Sequence, residues 1–331
     1  MTRKRLLRVA GLLGLTAIVG IQGGSFRKLS RYLDRSRSRV ALVPCEGYGA
    51  DLIRRLTLAL DLGGAPTVQG KMVLIKPNFV DYTPGKPINT DPRFLGALID
   101  ILRARGAREI VVGEGPGNRR DVAFVLGESG LDRELATRSV RFVDLNIDDL
   151  EAVQTRTMDL GTGSRIRRLL LPRTAVDADV LISVAKLKTH HWTGVTLCMK
   201  NLFGLVPGCI YGWPKNILHW NGIDRSVLEI FGTVRPSFGI VDGITGMEGD
   251  GPLEGRRKEH GIIVAGTDLV AVDSVAARTM GVRPDRIIYL AGAEEHGLGR
   301  MDVARVDVVG EPWERHLARF VLPARFEHLR G

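Results

Sequence analysis

The stretch from Val180 to Asn201 reads VLISVAKLKTHHWTGVTLCMKN, and it changes from apolar to largely polar residues partway along. The first five residues, Val180 to Val184, are almost all apolar, which predicts a buried strand. Two lysines and two histidines follow within a few positions: Lys186, Lys188, His190 and His191. Open α/β sheets bind ligands at the carboxyl ends of their strands. We therefore expect the polar segment from Lys186 to Asn201 to be the working surface of the protein.

The order of strand, polar loop and helix recurs on both sides of this stretch. Apolar runs predict further strands at Val40–Val43, Met72–Ile75, Ile110–Val112, Val140–Val143, Arg165–Leu171, Gly239–Val241 and Ile262–Ala265. Periodic or capped segments predict helices at Asp51–Leu62, Asp91–Arg105 and Val270–Met280. This alternation predicts an α/β protein with a mostly parallel sheet and helices on both faces. Two α/β lobes with a crevice between them are the alternative arrangement.

Composition divides the chain into three segments. Residues 1–38 form a basic and apolar leader, and residues 39–310 form the α/β domain. Residues 311–331 are charged and carry Trp313, Phe320 and Phe326, which predicts a C-terminal docking helix.

The leader holds most of the excess positive charge. The chain has a formal net charge of +10, and the stretch up to Arg39 contains ten basic residues against one acid, Asp34. Its apolar run, Val9–Ile21, is shorter than the roughly twenty residues of a spanning helix, so a signal-like segment or an interfacial anchor fits better. Basic residues after the run favour the cytoplasmic side. We expect a membrane-associated or cytoplasmic protein that contacts the membrane surface through its N-terminus, with export less favoured.

The rest of the chain argues against several classes of protein. It is nearly neutral and has no basic stripe or nucleic-acid motif, so we expect no nucleic-acid partner. The three cysteines, Cys45, Cys198 and Cys209, form no CxxC pair. That pattern argues against a disulfide scaffold, a zinc ribbon and a ferredoxin-type iron–sulfur cluster.

Several motifs together resemble the DUF362 family. The central ones are SVAKLKTH (183–190), TGVTL (193–197) and MKNLFGLVPG (199–208). Supporting ones are KPN (76–78), GEG (113–115), VDGI (241–244), MEGDGP (247–252), AGTD (265–268) and AVD (271–273). They span Val40 to Gly299 in family order, so the chain is identified as a member. The family has no known activity, and it is more distantly similar to the nickel-pincer lactate racemase fold.

The polar segment from Lys186 to Asn201 has the composition of an anion-binding site. Converging lysines can grip a carboxylate or phosphate, and a lysine among other cations can act as a base or nucleophile. The predicted catalytic residues are Lys186, Lys188, His190 and Lys200. Lys76 and Asn78, at another strand end, are predicted to contact substrate, as are residues of the resembling motifs: Glu114, Thr193, Thr196 and Asn201. A solvated basic loop is the alternative interpretation.

A divalent metal is a second hypothesis for the same region. The predicted ligands are His190, His219, Asp242, Glu248 and Asp250, a set that suits nickel, zinc or iron. Adjacent histidines on a strand point to opposite sides, so only one of His190 and His191 is expected to face the site. The alternative is that these histidines are satisfied or exposed, because no HExxH-like spacing is present.

Two functions fit these observations. The first is an enzyme acting on a small carboxylated or phosphorylated metabolite, with isomerase-like, racemase-like or metal-assisted chemistry. The second is a non-catalytic protein that binds an anion, a metal or a metallocofactor at the membrane.

Overall fold

Apolar runs bounded by glycine, proline or polar residues become the strands of the structure. The computed structural model describes residues 36–117, 120–155 and 166–330. The strands are β1 (Ser38–Pro44), β2 (Met72–Pro77), β3 (Glu109–Glu114), β4 (Arg141–Asp144), β5 (Leu150–Gln154), β6 (Arg168–Pro172), β7 (Val180–His190), β8 (Gly194–Thr196), β9 (Phe238–Glu248), β10 (Arg256–Gly266) and β11 (Val306–Gly310).

The helices fall between these strands. They are α1 (Leu52–Leu62), α2 (Pro92–Ala104), α3 (Val122–Ser129), α4 (Leu131–Ala136), α5 (Arg173–Asp177), α6 (Cys198–Asn201), α7 (Gly208–Tyr211), α8 (Asn216–Trp220), α9 (Ile223–Val234), α10 (Leu269–Thr279) and α11 (Ile288–Glu295). Short 3₁₀ turns occur at Leu202–Leu205, Pro284–Arg286, Val303–Arg305, Trp313–His316 and Ala324–Leu329. Asp91 caps the start of α2. Its side chain accepts a hydrogen bond from the backbone N–H of Arg93, and Pro92 occupies the first helical position.

One mixed sheet carries most of the strands. Its order is β11-β1-β10-β9-β7-β2-β3-β4, and β8 pairs with β7 off this path. The run from β9 to β4 is parallel, whereas β10 pairs antiparallel with both β9 and β1. Strands β5 and β6 form a separate two-stranded sheet. The predicted α/β class with a mostly parallel sheet and helices is confirmed.

The chain reverses its direction of winding at the centre of the sheet. From β2 it continues to β3 and β4 on one side, and β7 then returns to the other side of β2 and leads on to β9. Helices α1 and α2 pack into one apolar core, and α9 and α10 pack into the other. A switch point of this kind leaves a crevice at the carboxyl ends of β2 and β7, where α/β sheets bind ligands.

Three expectations about the architecture differ from the structure. Ser38–Gly331 is one compact body, so the two-lobe alternative is not found. Residues 311–330 contain two 3₁₀ turns in place of a docking helix, and each turn starts directly after a proline, Pro312 or Pro323. Strand β7 extends to His190, since β8 folds back and pairs with Lys188, Thr189 and His190. The polar cluster therefore starts inside a strand.

The predicted leader lies almost wholly outside the described residues, as does the apolar run at residues 9–21. Within the part of the chain that the structure describes, no helix is long and apolar enough to cross a membrane.

Candidate functional site

A cavity opens at the carboxyl ends of β2, β3 and β7. Side chains from these strands line it together with residues of α6, the 3₁₀ turn after α6 and α8. Its polar and charged lining side chains are Lys76, Asn78, Glu114, Lys188, His190, His191, Thr196, Lys200, Asn201, Lys215 and His219. Among the described lining residues, four are lysines and only Glu114 is a carboxylate. The cavity wall is therefore rich in cationic groups.

Lys76 and Glu114 form the innermost charged pair. Their side chains make a short ion pair, and both are almost fully buried. The Lys76 ammonium also donates to the carbonyl of Pro77 at 2.8 Å and to Asn201 Oδ1 at 3.1 Å. Glu114 accepts from the backbone N–H of Gly115 at 3.0 Å. Each charge is thus compensated, which a buried ion pair needs in order to be tolerated.

Asn201 fixes the orientation of its neighbour Asn78. Asn201 Nδ2 donates to the Lys76 carbonyl and to Ser183 Oγ, both at 3.1 Å, so its Oδ1 must be the acceptor. Asn78 Nδ2 donates to that Oδ1 at 3.2 Å. Asn78 Oδ1 is buried and has no hydrogen-bond partner among the described residues, and the same holds for Thr196 Oγ1. Both residues line the cavity.

The other three lysines have lowered pKa values. Burial and the nearby Lys200 and Lys186 ammonium groups hold the pKa of Lys188 well below its usual range. Burial, with Lys76 close by, lowers the pKa of Lys200 to about 8. Burial lowers the pKa of Lys215 to about 7, although Glu114 partly opposes this. An anion entering the cavity would favour the protonated lysines and offset part of these shifts.

Lys200 differs from its neighbours in having an amine without a hydrogen-bond acceptor. Lys188 Nζ donates to the Ile88 carbonyl at 2.7 Å, and Lys215 Nζ donates to the carbonyls of Gly115 and Phe203 at 2.8 and 3.0 Å. Lys200 Nζ lies 4.5 Å from the centroid of the Phe203 ring. No described residue accepts a hydrogen bond from it or forms an ion pair with it. Lys200 lines the cavity, and the residue as a whole is partly exposed.

The start of α6 is held by a buried carboxylate on α10. Asp273 accepts from the backbone N–H groups of Cys198 and Met199 at 2.8 and 2.9 Å. Burial raises the pKa of this carboxyl to about 7. Asp273 thereby fixes the short helix that carries Lys200 and Asn201.

Three histidines line the cavity, and their hydrogen bonds indicate which nitrogen carries the proton. His190 Nδ1 accepts from the backbone N–H of Trp192 at 3.0 Å, so the neutral ring carries its proton on Nε2. His191 and His219 face carbonyl oxygens with Nδ1, at 2.8 and 3.0 Å, which leaves Nε2 as an acceptor in the neutral rings. Burial, with Lys200 close by, holds the pKa of His190 well below its usual range.

The expectation that only one of the adjacent histidines faces the site is wrong. The His190 and His191 rings stack with their centroids 5.1 Å apart, and both line the cavity. Strand β7 ends at His190 and the chain turns at His191, so the alternation of a strand no longer applies.

Nine predicted site residues come together in this cavity. They are Lys76, Asn78, Glu114, Lys188, His190, Thr196, Lys200, Asn201 and His219. Thr193 does not line it, because the buried hydroxyl of this residue donates to the Val195 carbonyl at 3.0 Å.

Lys186 and Asp242 form a separate cluster. Lys186 Nζ donates to Asp242 Oδ2 and to the Tyr48 hydroxyl, and that hydroxyl donates to Asp242 Oδ1, each at 2.8 Å. Lys186 and Tyr48 line a different pocket, together with Arg93 and Thr245. Lys186 therefore lies in a different pocket from Lys188, although the sequence predicted one site for both, and the register of β7 with β9 shifts between these two lysines.

The predicted metal ligands are not assembled. Glu248 accepts from Arg256 Nε and from the backbone N–H of Val321, each at 2.9 Å, and Asp250 is exposed. Asp242 is held by Lys186, which leaves only His190 and His219 of the set in the cavity. Within the described ranges, no three His, Cys, Asp or Glu side chains are placed to hold a metal ion. The residues present do not fit a metal centre of the predicted kind.

Two features of the site were not predicted from the sequence. Lys215 adopts a left-handed backbone conformation with φ 67°, and a non-glycine residue there is uncommon and found preferentially at functional sites. Gly204 lies so close to the central ion pair that a Cβ would come 1.6 Å from Glu114 Oε1. Neither position shows a periodic signal, although the Gly and Pro residues around Lys215 indicate a turn.

Comparisons with known proteins found a relative by sequence and two similar solved structures. The thylakoid-associated protein sll1697 of Synechocystis sp. is 29% identical over 300 residues, which cover 86% of this chain and 87% of that protein. The lactate racemase apoprotein of Thermoanaerobacterium thermosaccharolyticum is 16% identical, with a TM-score of 0.39, over 73% of this chain and 57% of that one. A protein from Thermotoga maritima is also 16% identical, with a TM-score of 0.36, over 64% and 53%. The chain thus spans little more than half the length of these two solved chains.

One comparison assigns the family. Residues 73–278 match the family model described as "Domain of unknown function (DUF362)". This range covers more than half of the chain and contains every polar residue of the cavity named above. The chain therefore belongs to the DUF362 family.

Proposed function

We propose that the cavity binds a small metabolite carrying a carboxylate or phosphate, and that the protein is an enzyme acting on it. The observation that carries this proposal is the excess of lysines over carboxylates around one cavity at the switch point of the sheet. Such crevices are where open α/β proteins bind ligands. Lys76 is already paired with Glu114, so the remaining lysines supply the positive charge for the anion.

The cavity also contains groups that can move a proton. His190 is neutral and carries its proton on Nε2, whereas His191 and His219 offer acceptor nitrogens. A neutral imidazole next to an accessible amine can give or take a proton at a substrate atom held by the lysines. This chemistry suits an isomerase or racemase type of reaction and requires only residues of the cavity.

Calorimetric titration with oxalate and orthophosphate tests the anion site. Binding is expected for both anions, and none for methylammonium. Lys200→Met and Lys215→Met should each weaken binding about tenfold, because each removes a charge-assisted contact. Lys71→Met, at a partly exposed lysine outside the cavity, is the matched control. Absence of binding, or equal affinity in all variants, contradicts the proposal.

The alternative is a binding protein without turnover. Incubation with hydroxy acids, oxo acids and sugar phosphates in D₂O, followed by NMR, distinguishes the two functions. Exchange of carbon-bound hydrogen that is lost in His190→Asn supports the enzyme. Tight anion binding without any exchange or conversion favours the binding protein.

We also propose a peripheral association with membranes. The relative from Synechocystis is named as thylakoid-associated, and the basic leader of this chain suits an anionic lipid surface. Flotation of the full chain with anionic vesicles should exceed flotation with neutral ones, and replacing Arg3, Lys4, Arg5 and Arg8 by glutamine should reduce the difference. Equal flotation on both vesicles would argue against this association.

A further inference from the structure

The position of the Lys200 amine suits reaction with a ligand as well as attraction of an anion. Lys200 lines the cavity, and the described residues offer its amine neither an acceptor nor an ion-pair partner. Its helix is fixed by Asp273, and its chain neighbour Asn201 is held by Lys76 and Ser183. The backbone beneath the amine is thus immobilised, while the amine lies over the Phe203 ring and is influenced by the charges of Lys76, Glu114 and Asp224.

Two buried polar atoms of residues that line the same cavity as Lys200 lack a hydrogen-bond partner among the described residues. They belong to Asn78 and Thr196, which are 6% and 3% exposed and line the cavity. Asn78 contacts Asn201, the residue next to Lys200, and Thr196 lies four positions before Lys200 and pairs with Lys188. A buried polar atom without a hydrogen bond is unfavourable, so native proteins satisfy nearly all of them. Because its amide is fixed by Asn201, Asn78 Oδ1 can only accept, so a ligand that hydrogen-bonds to it must bring a donor such as a hydroxyl.

We propose that Lys200 is a nucleophile that forms an imine with the carbonyl group of an anionic oxo compound. This rests on the anion site proposed above, in which Lys215 and the neighbouring cationic groups hold the carboxylate or phosphate of the compound. An amine that is partly neutral at the working pH can attack a carbonyl carbon, as lysines do when they are desolvated among other cations. The lowered pKa of Lys200, about 8, supplies that neutral fraction.

The reaction balances with groups in the cavity and one water molecule released. The Lys200 nitrogen lone pair forms a bond to the carbonyl carbon, and the carbonyl π electrons move to oxygen. His219 Nε2, an acceptor in the neutral ring, takes a proton from the attacking nitrogen and passes it to that oxygen. The oxygen becomes the hydroxyl of a carbinolamine, which can donate to Asn78 Oδ1. His219 then carries the second proton of the nitrogen to the hydroxyl, which departs as water as the C=N bond forms. Both protons lost by the nitrogen are in the released water, and His219 is neutral again.

Reductive trapping tests the inference on the full chain. Wild-type protein is incubated with sodium cyanoborohydride and with pyruvate, dihydroxyacetone phosphate or uncharged dihydroxyacetone. Intact mass and peptide mapping then locate the adduct. We expect the two anionic probes to modify Lys200, at least about tenfold more than dihydroxyacetone does, since one charged contact is worth about that factor.

Variants identify the amine that reacts. Lys200→Arg keeps the positive charge but cannot form an imine, so adduct formation should be lost while oxalate binding remains. Lys71→Arg should react like the wild type. Oxalate binding without an adduct at Lys200, or an adduct at Lys215 or surface lysines instead, overturns the imine inference and leaves the anion site intact. If the wild-type protein does not bind oxalate, the anion site itself is overturned.

Discussion

Lys188 Nζ lies 2.7 Å from the carbonyl oxygen of Ile88, and the whole Lys188 side chain is buried. Ile88 belongs to the loop between β2 and α2. This loop contributes Asn78 and Phe79 to the lysine-lined cavity and Asn89 to the pocket of Lys186 and Tyr48. The hydrogen bond therefore fastens the end of β7 to the loop that lines both pockets.

Replacing Lys188 by methionine should loosen this loop. Methionine fills a similar volume but leaves the Ile88 carbonyl without its donor, which costs about 1–3 kcal/mol. Urea unfolding should show a loss of stability in that range. Lys86→Met is the control, because the Lys86 ammonium makes only a surface ion pair with Glu254, and such pairs are worth about 0–1 kcal/mol. Equal stability of the two variants would contradict a structural role for Lys188.

Oxalate binding should weaken as the pH rises from 6 to 9. Oxalate is fully ionised throughout, whereas Lys215 and Lys200, with pKa values of about 7 and 8, lose their charge in this range. Arginine stays protonated, so Lys200→Arg should retain more of its affinity at pH 9 than the wild type does. Calorimetric titration at several pH values measures the oxalate affinity of the wild type and of Lys200→Arg. An affinity that is flat with pH in the wild type would exclude these lysines as the anion-binding groups.

Gly204→Ala should disrupt the central ion pair. The added Cβ would lie 1.6 Å from Glu114 Oε1 and 2.7 Å from Lys76 Nζ, so the pair must separate. We expect a loss of about 1–3 kcal/mol in unfolding free energy, as for other overpacked positions, together with weaker oxalate binding. Gly117→Ala is the matched control, since Gly117 also lines the cavity and a Cβ added there would meet no atom of the described residues within 4 Å. Wild-type behaviour of Gly204→Ala would show that the ion pair is unimportant.

Asp273 should make stability depend on pH. Its folded-state pKa, about 7, is above the unfolded value of about 3.9. The folded protein therefore binds the proton more tightly, and this stabilising contribution is full below about pH 4 and lost as the pH rises through 7.

In Asp273→Asn this pH dependence disappears. The difference in unfolding free energy between wild type and variant should fall by on the order of 2–4 kcal/mol between pH 4 and pH 8. Urea unfolding across the range measures it, with the exposed Asp177→Asn as control. A difference that stays constant or grows with pH would contradict the raised pKa.

Tyr48→Phe should affect stability but not the lysine-lined cavity. The Tyr48 hydroxyl links Lys186, Asp242 and the backbone N–H of Thr245, so its loss leaves buried groups short of partners at about 1–3 kcal/mol. Oxalate affinity should remain that of the wild type, because none of these residues lines the cavity. A large drop in affinity would place Lys186 and Asp242 in the anion site after all.

The sequence alone determined the fold class and the approximate ends of the strands that line the cavity. Apolar runs such as Met72–Ile75 and Val180–Val184 predict buried strands, and Lys76 and Lys188 lie close to the carboxyl ends of the strands that form there. The parallel order then brings those ends together at one edge of the sheet, so Lys76, Lys188 and His190 could be placed in one site before any coordinates.

Only the tertiary structure decided which charges share that site. Lys186 and Lys188 are two positions apart and look equivalent in the sequence, yet they line different pockets, and the register of β7 with β9 shifts between them. Lys215 and Gly204 enter the cavity through short helical turns that leave no periodic pattern. Side-chain pairing depends on strand register and on segments far apart in the chain, and local sequence encodes neither.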